Sequence, residues 1–236
     1  MQISNRTLLK KNKKRMKKIL KKPWLPYVAP FVLFLLLTEP GRFFPAAVPY
    51  LYIAKTFLVG TLIWFWRHSY AADFSGGLTF SELLTSIGCG LLVLVLWIVP
   101  EGYLFQLEQK TVFNPQGLGE SQAAVIGWIG IRLLGAALIV PIMEELFWRS
   151  FLMRYLIEPD DFRSVPMGAF TWLSFAGVAI FFGLEHNRPA VGVIAGLLYG
   201  LLLIRQKNLT GVIRAHMVTN LGLGVYVVST GSWWFW

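Results

Sequence analysis

Residues 123–157 read AAVIGWIGIRLLGAALIVPIMEELFWRSFLMRYLI. The first part, 123–140, is apolar or small except for Arg132, and is long enough for one helical crossing of a bilayer core about 30 Å thick. Pro141 interrupts the run, and the second part, 142–157, carries Glu144, Glu145, Arg149 and Arg154. A proline inside a helix lacks an N–H and its ring clashes with the carbonyl four residues earlier. The stretch therefore reads as one kinked helix or as two spans with an abrupt turn.

The same apolar texture runs outward in both directions, with spans near 25–39, 47–66, 83–99, 167–184, 190–204 and 209–229 besides the two quoted. Hydrophobic residues make up 56% of the chain, mean hydropathy is +0.57, and charged residues are 14%, against about 25% in a soluble domain. That excludes an ordinary water-soluble enzyme and predicts an all-α fold, a polytopic transmembrane helix bundle of seven or eight spans. Treating 123–157 as one crossing puts Arg67, Arg154, Arg163, Arg205 and Lys207 on one side together with the Lys-rich tail. It gives seven crossings, with the amino terminus in the cytoplasm and the carboxyl terminus outside.

The net charge of +10 has one origin. Ten of the 22 basic residues, from Arg6 to Lys22, lie in that tail, and the other twelve balance the twelve acidic residues. Residues 1–22 thus read as a basic cytoplasmic tail that attracts anionic membrane lipids, and 23–236 as a single helical membrane domain. Nucleic acid is not expected as a partner. The run Tyr27–Leu37 ends in Thr38-Glu39-Pro40 without a small-x-small cleavage site, so it reads as an uncleaved anchor. Cys89, the single cysteine, sits among Ile87, Gly88, Gly90 and Leu91 and reads as a packing residue. The connection Pro100–Gln122 reads as lying on the membrane surface, and Trp233-Trp234-Phe235-Trp236 as an interfacial aromatic anchor.

Ionisable groups inside apolar runs carry the chemical information, because each costs roughly 3 kcal/mol or more in lipid unless it is paired. Glu145 and Arg149 are i and i+4 in the favourable order and pair on a helix, which leaves Glu144, on another side of that helix, to face something else. Glu185 and His186 end the run Phe181-Phe182-Gly183-Leu184. His216 and Asn220 are again i and i+4 and project from one helical face. Each cluster alone has a structural reading: acids that satisfy Arg149, an interfacial His, a His/Asn pair that glues helices. Three clusters in the later half of the chain point instead to one shared cavity. There a buried carboxylate can take a proton from water, while imidazole and amide donors position that water or hold an oxyanion. Neither the H-E-x-x-H nor the G-x-S-x-G pattern is present.

The ordered set Glu144-Glu145-x-x-x-Arg149, Phe182-x-x-x-His186 and His216-x-x-x-Asn220 resembles the CAAX protease and bacteriocin-processing (CPBP) family of intramembrane proteases. More narrowly, Phe182-Gly183-Leu184-Glu185-His186-Asn187, Ala215-His216 through Thr219-Asn220 and Thr230-Gly231-x-Trp233 are similar to the bacterial CAAX-protease-related proteins that accompany exosortase sorting systems. The resemblance implies a bacterial inner membrane and an intramembrane endopeptidase acting on a peptide or protein with a membrane-associated or carboxyl-terminal tail. It implies Glu144 as the water-activating base, His186 as its partner, His216 with Asn220 as the oxyanion or water-positioning pair, and Glu145 and Arg149 as supports. Glu185 lies outside the broad motif, either a chemical group or a helix-end cap. Glu144, His186 and His216 offer three ligands to a divalent metal such as zinc, and the same residues suffice for a metal-free mechanism. A non-catalytic scaffold or immunity-type binding protein is the other reading. A transporter lacks the support of inverted repeats.

Overall fold

The computed structural model describes residues 22–74, 76–107, 113–119 and 121–236, and the basic tail apart from Lys22 lies outside them. Seven helices follow one another: α1 (Leu25–Thr38), α2 (Val48–Phe65), α3 (Phe80–Ile98), α4 (Gln122–Tyr155), α5 (Trp172–Leu184), α6 (Pro189–Gln206) and α7 (Leu209–Thr230). No strand occurs among the described residues. The fold is thus an all-α polytopic bundle. Helices α2, α3, α4, α6 and α7 are long and apolar enough to cross a membrane. Helices α1 and α5, with 14 and 13 residues, are shorter, about 20 Å each. Large apolar side chains cover the outside, Leu36, Phe65, Leu173 and Val225 among them, while Glu145 and Arg149 are buried. That inversion of the soluble pattern is what lipid as the outer solvent demands.

Local chemistry explains the helix starts. Thr79 and Glu82 close a capping box on α3, Asn208 accepts from the Thr210 N–H at α7, and Thr171 with Ser174 caps α5. The apolar run expected from 167 becomes helical only at Trp172, because Gly168 takes φ +78° and Thr171 is extended for its cap.

Helix α4 runs through Pro141 as one element of 34 residues. Wide π turns flank the proline, at Gly135–Ile139 and Leu146–Leu152, where the Val140 and Met153 N–H groups reach the carbonyls five residues back. Opening the helix just before Pro141 relieves the clash of its ring with the preceding turn. The sequence's choice between one kinked helix and two spans is settled by this local widening.

Small residues bring helices together around the centre. Helix α5 packs along α6, and a Cβ on Gly192 would lie 2.8 Å from Gly183 Cα, and one on Gly196 2.9 Å from Ala179 Cα. This is the small-residue contact expected of helices without a hydrophobic drive towards each other. Between α3 and α7, Thr219 Oγ1 donates to the Gly90 carbonyl at 2.8 Å.

The two ends of the bundle differ. At one, Tyr70 Oη donates to the Pro26 carbonyl, Arg163 to the Pro23 carbonyl, and Asn208 to the Gly76 carbonyl. Arg67, Arg154, Arg163, Arg205 and Lys207 therefore gather at a single end, as the one-crossing reading of 123–157 requires. At the other, Arg188 holds Glu101 through two 2.8 Å contacts, and the Leu107 N–H donates to the Asn187 carbonyl at 2.8 Å. Two of the four terminal aromatics expected to form an interfacial anchor are folded inward instead. Gly231, at φ +71°, turns the chain back, and Phe235 and Trp236 are buried against Tyr52 and Phe113, leaving Trp234 exposed.

Candidate active site

Glu144 and Glu145 leave α4 in different directions. Glu145 is fully buried, with Arg149 Nη1 donating to its Oε1 at 3.3 Å and Arg149 Nε lying 3.1 Å from its Oε2. The guanidinium also sits 4.3 Å from the Phe182 ring centroid and reaches the Gly196 carbonyl at 3.5 Å, a contact that the close approach of α6 makes available. Besides this pairing, which the spacing predicts, Glu145 Oε1 lies 2.8 Å from His216 Nδ1. A carboxylate only accepts, so Nδ1 carries the hydrogen and Nε2 is the ring nitrogen turned to the remaining space. The His216 ring stacks on Tyr199 at 5.0 Å, and Tyr199 Oη donates to Thr219 Oγ1 at 2.7 Å. Nothing in the sequence points to Tyr199, since a tyrosine in a Gly-rich apolar helix carries no signal before α6 is placed.

Glu144 faces the other way. Its Oε2 is buried without a hydrogen-bond partner among the described residues, and His216 Nε2 stands 3.9 Å off, beyond hydrogen-bond reach. Across from it, candidate ligand atoms of Glu144, Glu185 and His186 all lie within 4.8 Å of one another. Trp148 Nε1 donates to Glu185 Oε1 at 3.3 Å. His186 donates from Nδ1 to the Phe182 carbonyl at 2.7 Å, which leaves its Nε2 lone pair available. Two carboxylates this close need a cation or a shared proton between them. Two carboxylates and an imidazole, one carboxylate oxygen being orphaned, fit a divalent ion such as zinc. In this trio Glu185 stands where the sequence offers His216, whose Nε2 lies 3.9 Å from Glu144 Oε2 on the same cavity.

Asn220 is tied to the kink in α4. Val140 gives its N–H to Gly135 and Pro141 has none to give, so the Ala136 carbonyl lacks that partner in its own helix. Asn220 Nδ2 supplies it at 2.8 Å, keeping a second amide hydrogen and Oδ1.

Glu144, Glu185, His186, His216 and Asn220 line one cavity of about 330 Å³. Its walls include Thr38 and Glu185, at the ends of the two short helices α1 and α5 that lie away from Arg154 and Arg163. A wider space of about 580 Å³ adjoins it and shares Glu185, Asn187, Lys55 and Arg132 as walls.

This geometry lies in the stretch that resembles a known family. Residues 126–222 match the family model described as Rce1-like, type II CAAX prenyl endopeptidase Rce1-like. The match covers all three motifs and stops before Thr230-Gly231-x-Trp233; the later half of the chain is therefore similar to that family of membrane proteases. No curated protein and no solved structure matches the chain.

Proposed function

We propose that the chain is an intramembrane endopeptidase that hydrolyses a peptide bond in a membrane-associated or carboxyl-terminal tail, with Glu144 activating water. The observation that carries this reading is Glu144 Oε2, buried without a protein donor in a cavity shared with His186, His216 and Asn220. Water bound there gives a proton to Glu144 as its oxygen attacks the peptide carbonyl carbon, and the proton passes to the leaving amine as the C–N bond breaks. His216, its Nδ1–H held by Glu145, presents Nε2 to the water. His186 presents Nε2 from the opposite wall. The second amide hydrogen of Asn220 is the donor for the oxyanion. A divalent ion held by Glu144, Glu185 and His186 would polarise the carbonyl and acidify bound water.

The basic end faces the cytoplasm in this reading, following the positive-inside rule, which directs the cavity mouth to the outer side of a bacterial inner membrane. The Phe182–Asn187 and Thr230–Trp233 motifs support a tail peptide handled by an exosortase-type sorting system as the substrate. Purified protein with a library of tail peptides, read by mass, tests the function. Defined cleavage that disappears in Glu144→Gln is the expected result. Peptide binding with no turnover by the unmodified protein would favour the scaffold reading.

A further inference from the structure

Lys55 on α2 and Arg132 on α4 are two charges on the cavity walls that the proposed reaction leaves unused. Lys55 Nζ sits 4.3 Å from the Phe34 ring centroid and 4.9 Å from that of Tyr52, and its hydrogen bond goes to the Thr38 hydroxyl at 3.0 Å. Arg132 Cζ lies 4.3 Å from the same Tyr52 ring, 5.7 Å from Phe113 and 5.5 Å from Trp236, and its Nε is buried without a hydrogen-bond partner. No carboxylate pairs with either cation among the described residues. Two positive charges thus share one aromatic ring inside an apolar bundle, where each lone charge is costly. Aromatic faces attract cations but accept no full hydrogen bond from Nε.

Both cations line the Glu144 cavity itself as well as the wide space that adjoins it. We propose that Lys55 and Arg132 form a subsite for a carboxylate on the substrate peptide, beside the bond presented to Glu144. The proposal rests on the peptidase reading and adds what the peptide must carry. A carboxylate between the two cations relieves their repulsion and gives Arg132 an acceptor in its fork. A neutral tail would bury the pair unmatched, so the subsite also discriminates. A lipid phosphate fits less well, because Arg132 lies ten residues into α4 and its Nε is enclosed.

The test uses the full chain in dodecyl maltoside, with Glu144→Gln to hold peptide uncleaved. The probes are dansyl hexapeptides randomised over Ala, Leu and Val, made with a free carboxyl terminus, with a terminal amide, or with the amide and one Asp. The expected result is at least about tenfold tighter binding of an acid form than of the plain amide, the size of one charge-assisted contact. The preferred acid tells a terminal from a side-chain carboxylate. Lys55→Gln and Arg132→Gln should erase the preference, and Lys55→Arg should keep it. Equal binding of all three libraries overturns the subsite, even if the unmodified enzyme cleaves them. Loss of the preference when phosphatidylglycerol, but not phosphatidylcholine, is added also overturns it, since the anion is then a lipid. An acid preference without turnover by the unmodified protein keeps the subsite and removes the peptidase.

Discussion

At the basic end of the bundle, Asp73 accepts from Tyr27 Oη at 2.5 Å and from Arg154 Nη2 at 2.8 Å, while Arg154 also binds the Ser150 hydroxyl at 2.7 Å and the Ser150 carbonyl. At the other end, Glu144 keeps a buried oxygen with no donor, beside Glu185 and open space. Both clusters bury charge in a membrane bundle, and both use α4. The first is complete, so it ties α1, α4 and the segment after α2 together and has nothing left to offer a ligand. The second is incomplete by one partner, and water, an ion or a substrate is what completes it. Among buried polar groups in such a fold, the unsatisfied atom marks function more sharply than the charge itself.

The widest separation of the two should come from Glu144→Gln and Asp73→Asn. Glu144→Gln keeps the shape of the cavity and removes the base, so turnover should fall by about 10³-fold with little change in melting. Asp73→Asn should spare turnover per folded molecule and lower stability by about 3–5 kcal/mol, because Arg154 loses its counter-charge. If melting in detergent and peptide turnover give the reverse pattern, the contrast is broken.

Glu145→Gln should show both effects, since Glu145 pairs Arg149 and also orients His216. Adding Arg149→Met should recover melting but not turnover, because neither replacement restores the acceptor of the His216 Nδ1–H. Recovery of turnover in the double variant would mean that the Glu145–His216 contact has no catalytic role.

His216→Ala and Asn220→Ala should each lower turnover by about 10²-fold, with the pair little worse than the worse single. Asn220→Ala should also cost about 1–3 kcal/mol of stability by orphaning the Ala136 carbonyl. Strictly additive losses in turnover would separate the two roles.

The smallest effect belongs to the Glu101–Arg188 clasp beside the cavity mouth. The hydrogen-bonded Arg188 guanidinium holds the Glu101 carboxyl below its usual range. A depressed folded-state value gives stability that is full above the unfolded carboxyl value of about 4.3 and is lost as pH falls through the folded one. The melting advantage of the unmodified protein over Glu101→Gln should therefore be constant from neutral pH to about 5 and shrink below that. A difference that grows on acidification would exclude the clasp as its source.

Much of the fold was legible because lipid imposes a simple rule on sequence. Helical spans read from apolar runs, the union of 123–157 followed from charge placement, and Glu145–Arg149 followed from spacing within one helix. Contacts between helices were not legible. Nothing in the sequence near Glu144 says that Glu185, far along the chain, comes close to it, or that Glu145 serves His216 as well as Arg149. Nothing in the sequence brings Lys55 and Arg132, in separate spans, to one ring, and Phe235 and Trp236 read as part of a surface anchor until the turn at Gly231 folded them inward.

Sequence alone determined the solvent of this protein, its helical class and the residues rich enough in chemistry to matter, because burial of charge in lipid is penalised wherever the chain goes. Tertiary structure decided which carboxylate is paired with a cation and which faces open space. That depends on partners brought from distant helices, by the Gly183–Gly192 approach and the widened turn before Pro141, to within hydrogen-bond distance or just beyond it.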